Sequence, residues 1–277
     1  MKFTVGLAQC GPASGDLAAN LAVVADYAAK GRRAGLDLIV FPEMMLSGTD
    51  MARAADVALD DPAIAELEKL SRDVSLCVGF IERAPDFRYF IAAAYLEGGR
   101  LVHVQRKIHI VSHGLYDEGK LCGAGRSVRA FDTRFGRMAI AICEDAWHYG
   151  YMLCAALDGA LVVLSPIASA AAGVFADAES HALWEVTNRS NAARLTSYVA
   201  CVNRVGTEGE RRYWGRSQLV TPFGEVVLTG DGEEAGLYAG EIDIDAVRRA
   251  RIEYPSLQMQ RVRDLIANLE DIDRDRT

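Results

Sequence analysis

Short unbroken apolar runs alternate with amphipathic stretches along most of the chain. Residues 37–41 (DLIVF), 76–81, 138–142 and 160–164 (ALVVL) have the pattern of strands covered on both faces, and 3–10 reads as a first strand. Leu17, Leu21, Val24 and Ala28 recur at spacings of three and four, which predicts a helix over 16–33 that Gly35 ends. Asp60 or Asp61 caps the next helix, with Pro62 near its first turn and Ile64, Leu67 and Leu70 on its inner face. Residues 89–96 and 101–110 predict a hairpin closed at Gly98-Gly99. Alternation in its second strand puts Val102, Val104, Ile108 and Ile110 on one face and His103, Gln105, Lys107 and His109 on the other. Residues 111–129 form an irregular Gly-rich segment, long enough to suggest a function. A helix is predicted over 151–157, Ser165-Pro166 is expected to halt the ALVVL strand, and a second long helix covers 178–196. Strands follow at 198–205, 218–221, 225–228 and 237–242, and a charged helical tail begins at Asp245.

This order implies an α/β layer structure. The sequence helix, buried strand, proline occurs twice, at 16–42 and at 151–166, and the echo suggests internal pseudo-symmetry. No linker interrupts the 277 residues, so one domain over 1–277 is expected, with 245–277 as a C-terminal extension. An apolar share of 51% suffices for a large core. The net charge of −8 argues against general affinity for nucleic acid or an anionic membrane. No run approaches the roughly 18 apolar residues of a membrane span, and MKFTVGLAQC reads as a strand and not as a secretory signal. Six cysteines lie scattered without CxxC or CxxxC spacing, which leads us to expect free thiols, a cytoplasmic location and no structural zinc.

Candidate chemistry enters at 137–147, RMAIAICEDAW, where a buried run ends in Cys143 followed by two carboxylates. A thiol at the end of a rigid strand is where α/β enzymes place nucleophiles, because backbone N–H groups at the turn can meet an oxyanion. Glu43 follows another buried strand and Lys107 sits on the polar side of the hairpin. Each has a plain alternative: Glu43 as a loop carboxylate, Lys107 as an exposed cation on an open sheet face, Cys143 as a core residue. A cysteine–histidine dyad using His109, His113 or His148 is the rival chemistry, but none of the three lies in a motif of that kind. Nothing in the spacing of His103, His109 and His113 requires a metal.

Taken together, FPE at 41–43, RKIHI at 106–110, YDEG at 116–119, ICEDAW at 142–147, VNRVG at 202–206 and WGRSQLVTPFGEVV at 214–227 resemble the carbon–nitrogen hydrolase, or nitrilase, superfamily. The resemblance implies a four-layer α-β-β-α sandwich, with two facing mixed sheets and outer helices. It implies a catalytic triad of Glu43, Lys107 and Cys143, a further glutamate at Glu118, and no cofactor or metal. Residues flanking these motifs, Tyr116, Glu144, Trp147, His148 and Ser165, are candidates for contact with substrate. Arg126, Arg129 and the pair Arg211-Arg212 are candidate partners for a substrate carboxylate, with surface charge as the alternative.

The CEDAW form is similar to amide-hydrolysing branches, including the glutaminase part of NAD synthetases, more than to nitrilases, where a Trp commonly follows the cysteine. No GxxxxGK[ST] phosphate loop is present. The expected function is therefore hydrolysis of a small amide or N-carbamoyl compound through a thioester. A nitrilase acting on a small nitrile, or a catalytically silent binding or assembly protein of the same fold, remains the alternative. After FPE the family often continues to a Gly-Tyr pair, where this chain has Ser47-Gly48-Thr49, which removes an aromatic hydroxyl near the site. The resemblance also implies a homodimer or larger homo-oligomer, to which Ile252, Tyr254, Leu257 and Met259 of the extension are expected to contribute.

Overall fold

In the computed structural model, which describes residues 1–171 and 177–276, two mixed sheets lie face to face between layers of helices. The first sheet orders strands Gly236–Asp243, Lys2–Gln9, Leu38–Val40, Ser75–Arg83, Tyr89–Glu97 and Arg100–Arg106, with Asp56–Val57 paired to Ser75–Arg83 off that path. The second orders Val226–Thr229, Gln218–Val220, Tyr198–Asn203, Val162–Ile167, Gly136–Ile140 and Phe131–Thr133. Each has a parallel centre, Lys2–Gln9 with Leu38–Val40 and Ser75–Arg83 in one, Gly136–Ile140 with Val162–Ile167 and Tyr198–Asn203 in the other. Antiparallel strands flank both centres.

The apolar runs are buried on both faces because each sheet is covered twice. Val5, Leu7, Leu38 and Val40 of the first sheet meet Met138, Ile140, Val162 and Leu164 of the second in a central layer. The alternate residues Ile39, Leu76 and Val78 pack outward under helices Leu17–Arg33 and Pro62–Leu70. On the other side Val163 and Val199 pack under helices Tyr149–Leu157 and Asp177–Leu195. Helix starts follow the caps: the Asp16 carboxylate accepts from the Ala19 N–H at 2.9 Å, and that of Asp61 from the Ala63 N–H at 2.8 Å.

Three expectations fail in informative ways. The hairpin's second strand ends at Arg106, and its polar face points inward: the His103 ring stacks on Phe131 of the central layer, Gln105 is buried, and Val102 is exposed. Lys107 is therefore fully buried instead of standing on an open sheet face. Strand Val162–Ile167 also runs through Pro166. The Leu164 carbonyl accepts from the Ala141 N–H at 2.9 Å, so Pro166, two residues on, turns its missing donor to the same side, where the neighbouring strand has already ended at Ile140. Finally, a small antiparallel sheet of Ala170–Ala171, Arg211–Trp214 and Val205–Glu208 lies outside the expected elements.

Residues 111–129 are irregular apart from the short 3-10 turn Glu118–Lys120. In the extension, helix Ile244–Glu253 buries Ala246, Val247 and Ala250, while helix Val262–Arg276 has no buried residue and exposes Ile266, Leu269 and Ile272. Among the described residues no helix is long and apolar enough to cross a membrane.

Candidate active site

Strand Leu38–Val40 ends where Phe41, whose N–H donates to the Cys77 carbonyl at 2.9 Å, leads into Pro42 and Glu43. Met44 then takes a left-handed φ of 52°, and the turn folds back over the neighbouring strand at Gly79. A Cβ on Gly79 would stand 2.6 Å from the Met44 nitrogen and 2.7 Å from the Pro42 oxygen, so a glycine there lets the two backbones meet. The Glu43 N–H reaches across to the Ile167 carbonyl of the second sheet at 3.4 Å, and its side chain is 1% exposed.

Lys107 closes on this carboxylate from the end of the hairpin. Its Nζ donates to Glu43 Oε1 at 2.8 Å and to Glu118 Oε1 at 2.8 Å, and Glu118 Oε2 accepts from the Val111 N–H at 2.9 Å. Burial disfavours the ammonium, but Glu43, the Cys143 sulfur and Glu118 outweigh it and hold the lysine well above its ordinary pKa. Burial also pushes the Glu118 carboxyl up, with Lys107 opposing and Glu43 reinforcing the shift. The two acids are thus bridged by a protein cation, and among the described residues no group of three His, Cys, Asp or Glu side chains offers a metal site.

Cys143 opens the 3-10 turn Cys143–Trp147 just past strand Gly136–Ile140, in a left-handed conformation with φ of 47°. A non-glycine residue in that region is uncommon and is held there by its surroundings. The residue as a whole is only partly buried, unlike Glu43 and Lys107, but its sulfur is enclosed. Burial of the sulfur and the charge of Glu43 push its pKa well up, against the pull of Lys107 and of the Ala168 backbone N–H. The resting thiol is therefore protonated at neutral pH, and attack requires a base at the moment of reaction.

Asp145 ties the cysteine turn to the lysine segment. Its Oδ1 accepts from the Ile108 N–H at 3.1 Å, the His109 N–H at 2.9 Å and contacts His109 Nδ1 at 2.9 Å. His109 is stacked in turn on His148, ring centroids 3.4 Å apart, so it belongs to a bracing cluster. The sequence motif contains Asp145, but its role needed the fold.

A narrow cleft, with room for about 10 Å³, reaches Glu43 and Glu118 and is lined besides by Tyr116, Asp117, Thr49, Tyr213 and Arg211; Cys143 is not among its lining residues. The Tyr116 hydroxyl accepts from the Ala170 N–H at 3.0 Å and donates to the Ala168 carbonyl at 3.4 Å; burial raises its pKa, keeping it neutral. The Tyr213 hydroxyl lies 2.8 Å from Thr49 Oγ1, so an aromatic hydroxyl does stand near the site, brought from the small sheet and not from the segment after FPE. A wider groove runs beside Gln105, Arg106 and Arg126 at the sheet edge, away from Cys143.

The other sequence candidates lie elsewhere. Trp147 packs edge-on to Trp184 and is 40% exposed, Glu144 pairs with His148 at 3.4 Å on the surface, and Ser165 is buried within its strand. None of the four lines the cleft. Of the paired arginines, Arg211 faces the cleft while Arg212 is exposed and lies 3.1 Å from Glu233. Alternation along Arg211–Trp214 would have grouped Arg211 with Tyr213, had this short strand been legible.

The carbon-nitrogen hydrolase family model matches residues 4–252. The chloroplastic omega-amidase of Arabidopsis thaliana is 30% identical over 289 residues, covering 99% of this chain and 76% of that protein. A glutamine-dependent NAD(+) synthetase of Acinetobacter baylyi is 22% identical, covering 99% of this chain but 50% of the synthetase. Among solved structures, a carbon-nitrogen hydrolase from Helicobacter pylori G27 superposes with a TM-score of 0.85 at 20% identity, covering 97% of this chain and 98% of its own.

Proposed function

This chain belongs to the carbon–nitrogen hydrolase family, and on that premise we propose that it is an amidase that hydrolyses a small amide or N-carbamoyl compound through a thioester on Cys143. The observation that carries the reading is the Lys107 ammonium, hydrogen-bonded at 2.8 Å to both Glu43 and Glu118 in a buried cluster whose charges also act on the Cys143 sulfur. Neither charge pattern nor burial at this place serves packing, since a buried ion cluster is at best weakly stabilising.

In this mechanism Glu43 takes the Sγ proton as the sulfur attacks the amide carbon. The oxyanion is met by the Lys107 ammonium and the Glu144 backbone N–H. Glu43 returns the proton to the departing nitrogen as the carbon–nitrogen bond breaks, and ammonia or an amine leaves. A water then gives its proton to Glu43 and attacks the thioester, the acid departs, and the proton passes back to the sulfur. Glu118 holds Lys107 in place through the hydrogen bond at 2.8 Å.

The test is ammonia or amine release from a panel of small amides, omega-amides, N-carbamoyl amines, glutamine and nitriles, beside the Cys143→Ala variant and with mass spectrometry of the Cys143 peptide. Cysteine-dependent release from an amide or N-carbamoyl compound, with an acyl mass on that peptide, is the expected result. Release only from nitriles would replace the reading with a nitrilase. Silence across the panel would remove it in favour of a binding role.

A further inference from the structure

We infer that Asn203 is a positioning residue of the active site: its carboxamide grips Ser169, and through the run 167–170 it holds the Ala168 N–H on the Cys143 sulfur. The inference rests on the amidase reading and adds to it a residue that acts through the backbone of another segment.

Strand Val162–Ile167 ends beside the site, and the four residues from its last position onward reach three members of that site through backbone groups alone. The Ile167 carbonyl accepts from the Glu43 N–H at 3.4 Å, and the Ala168 N–H meets the Cys143 sulfur. The Tyr116 hydroxyl donates to the Ala168 carbonyl at 3.4 Å and accepts from the Ala170 N–H at 3.0 Å. Ser169 lies between these contacts, just past the point where the parallel pairing of Val162–Ile167 with Tyr198–Asn203 stops, at Ile167 opposite Asn203. Its peptide groups therefore need partners from outside that ladder. The Asn203 side chain supplies both: Oδ1 accepts from the Ser169 N–H at 3.0 Å, and Nδ2 donates to the Ser169 carbonyl at 3.1 Å. One carboxamide makes the two bonds that a strand neighbour would make.

Asn203 is in turn held on its own backbone. It is fully buried at the end of its strand, where its N–H donates to the Ser217 hydroxyl at 3.1 Å and its carbonyl accepts from that hydroxyl at 3.4 Å. The Ser217 N–H donates to Gln9 Oε1 at 2.9 Å, and Gln9 closes strand Lys2–Gln9 of the first sheet. Gln9 and Ser217 are buried as well. A chain of uncharged groups thus runs from the first sheet to the peptide beside the nucleophile. Filling this space would need only an apolar side chain of the same volume, whereas the carboxamide also fixes a direction for Ser169.

That direction counts when the sulfur becomes charged. Lys107 and the Ala168 N–H pull the thiol's pKa down, burial, Glu43 and Glu118 push it up, and Tyr116 is close enough to feel the sulfur's charge. Without the Asn203 grip the N–H is free to leave the sulfur, and the thiolate then forms at higher pH.

The experiment follows iodoacetamide alkylation of Cys143 against pH, read from the mass of its own peptide so that the exposed Cys154 does not count. Beside it, kcat and KM are measured on an amide that the wild type hydrolyses. The proteins are the wild type, Asn203→Leu and Asn203→Asp, with circular dichroism confirming that each is folded. Asn203→Leu keeps the volume and loses both hydrogen bonds. Its alkylation profile is expected to move up by about one pH unit or more, and its kcat to fall about 100-fold with KM within about threefold. Asn203→Asp is the rescue: when protonated, its carboxyl accepts from the Ser169 N–H and donates to the Ser169 carbonyl as the carboxamide does, and when ionised it has no donor to give. Its kcat relative to the wild type should be highest in acid and fall about tenfold or more as pH rises. Coincident alkylation profiles, or an Asn203→Asp ratio that does not change with pH, would overturn the inference; if Asn203→Leu does not fold, Asn203→Asp decides alone. Labelling and turnover separate the two readings. A shifted profile in a protein that hydrolyses no amide keeps Asn203's role and removes the amidase, and hydrolysis with an unshifted profile does the reverse.

Discussion

The turn that delivers Glu43 and the turn that delivers Cys143 are built alike and end differently. Each follows a central parallel strand, Leu38–Val40 in one sheet and Gly136–Ile140 in the other, and each contains a non-glycine residue with positive φ, Met44 at 52° and Cys143 at 47°. In the first the functional side chain precedes the strained residue and is sealed, 1% exposed, by Gly79 beneath it and the facing sheet beside it. In the second the strained residue is itself the proposed nucleophile, and it is only partly buried although its sulfur is enclosed. The contrast shows how two similar strand ends present unlike groups, and it fits the proposed mechanism, in which a base needs a fixed carboxylate and a nucleophile must meet a substrate that comes from outside.

The sharpest way to break this comparison is to remove the thiol. Cys143→Ala is expected to lower turnover by about 10³-fold or more while the thermal midpoint stays close to that of the wild type, since no charge is left unpaired. Appreciable amide hydrolysis by this variant would end the claim that the second turn carries the nucleophile.

Removing the cation that joins the two sides tests the sealed member. Lys107→Met leaves Glu43 and Glu118 buried with no counter-charge, and should cost about 3–5 kcal/mol in chemical denaturation along with activity. Adding Glu118→Gln to Lys107→Met should recover part of the stability and none of the turnover. If Lys107→Met unfolds with wild-type energetics, the three groups are not coupled as the geometry requires.

The close approach under the first turn gives a smaller effect. A Cβ at Gly79 meets backbone on two sides, so Gly79→Ala should destabilise by about 1–3 kcal/mol and lower turnover through a displaced Glu43. Gly150 begins helix Tyr149–Leu157 with nothing within 4 Å of an added Cβ, and Gly150→Ala should be neutral or stabilise by up to about 1 kcal/mol. Similar melting curves for the two variants would show that the Gly79 contact is not tight.

An effect of similar size lies at Glu208, beside Thr49, and is read from pH. Burial works to raise the Glu208 carboxyl, but hydrogen bonds from Ser14 and Thr49 and the charges of Arg204 and Arg211 outweigh it and hold the group below the usual range. Its stabilising contribution is therefore present above the unfolded value of about 4.3 and is lost as pH falls through the lower folded value. Glu208→Gln should lose about 1–3 kcal/mol near neutrality and converge with the wild type in acid. A difference that is independent of pH would assign the loss to packing.

What was readable in advance follows from local rules. Apolar runs of strand length and three-four periodicity marked the central strands and the helices, because residues whose two faces are both covered must be apolar at every position. The weak points were short elements held by neighbours: Arg211–Trp214 and Ala170–Ala171 have no pattern long enough to be seen, and together they supply Arg211, Tyr213 and the Ala170 N–H that fixes Tyr116. Lys107 was singled out for its motif and given the wrong surroundings as a member of a polar face, because alternation tells which residues share a side and not which side faces the core.

By itself, then, the chain determined two layers of buried strands with amphipathic helices, and it carried Glu43, Lys107, Glu118 and Cys143 in motifs that mark them as a set. Only the tertiary structure decided that Lys107 is buried between two acids, that Asp145 fastens the cysteine turn to the lysine segment, and that Arg211 rather than Arg126, Trp147 or His148 faces the same small cleft. The reason is physical: period and propensity act over a few residues, whereas burial, charge pairing and the walls of a cleft are set by groups that lie far apart along the chain and meet only when the two sheets close.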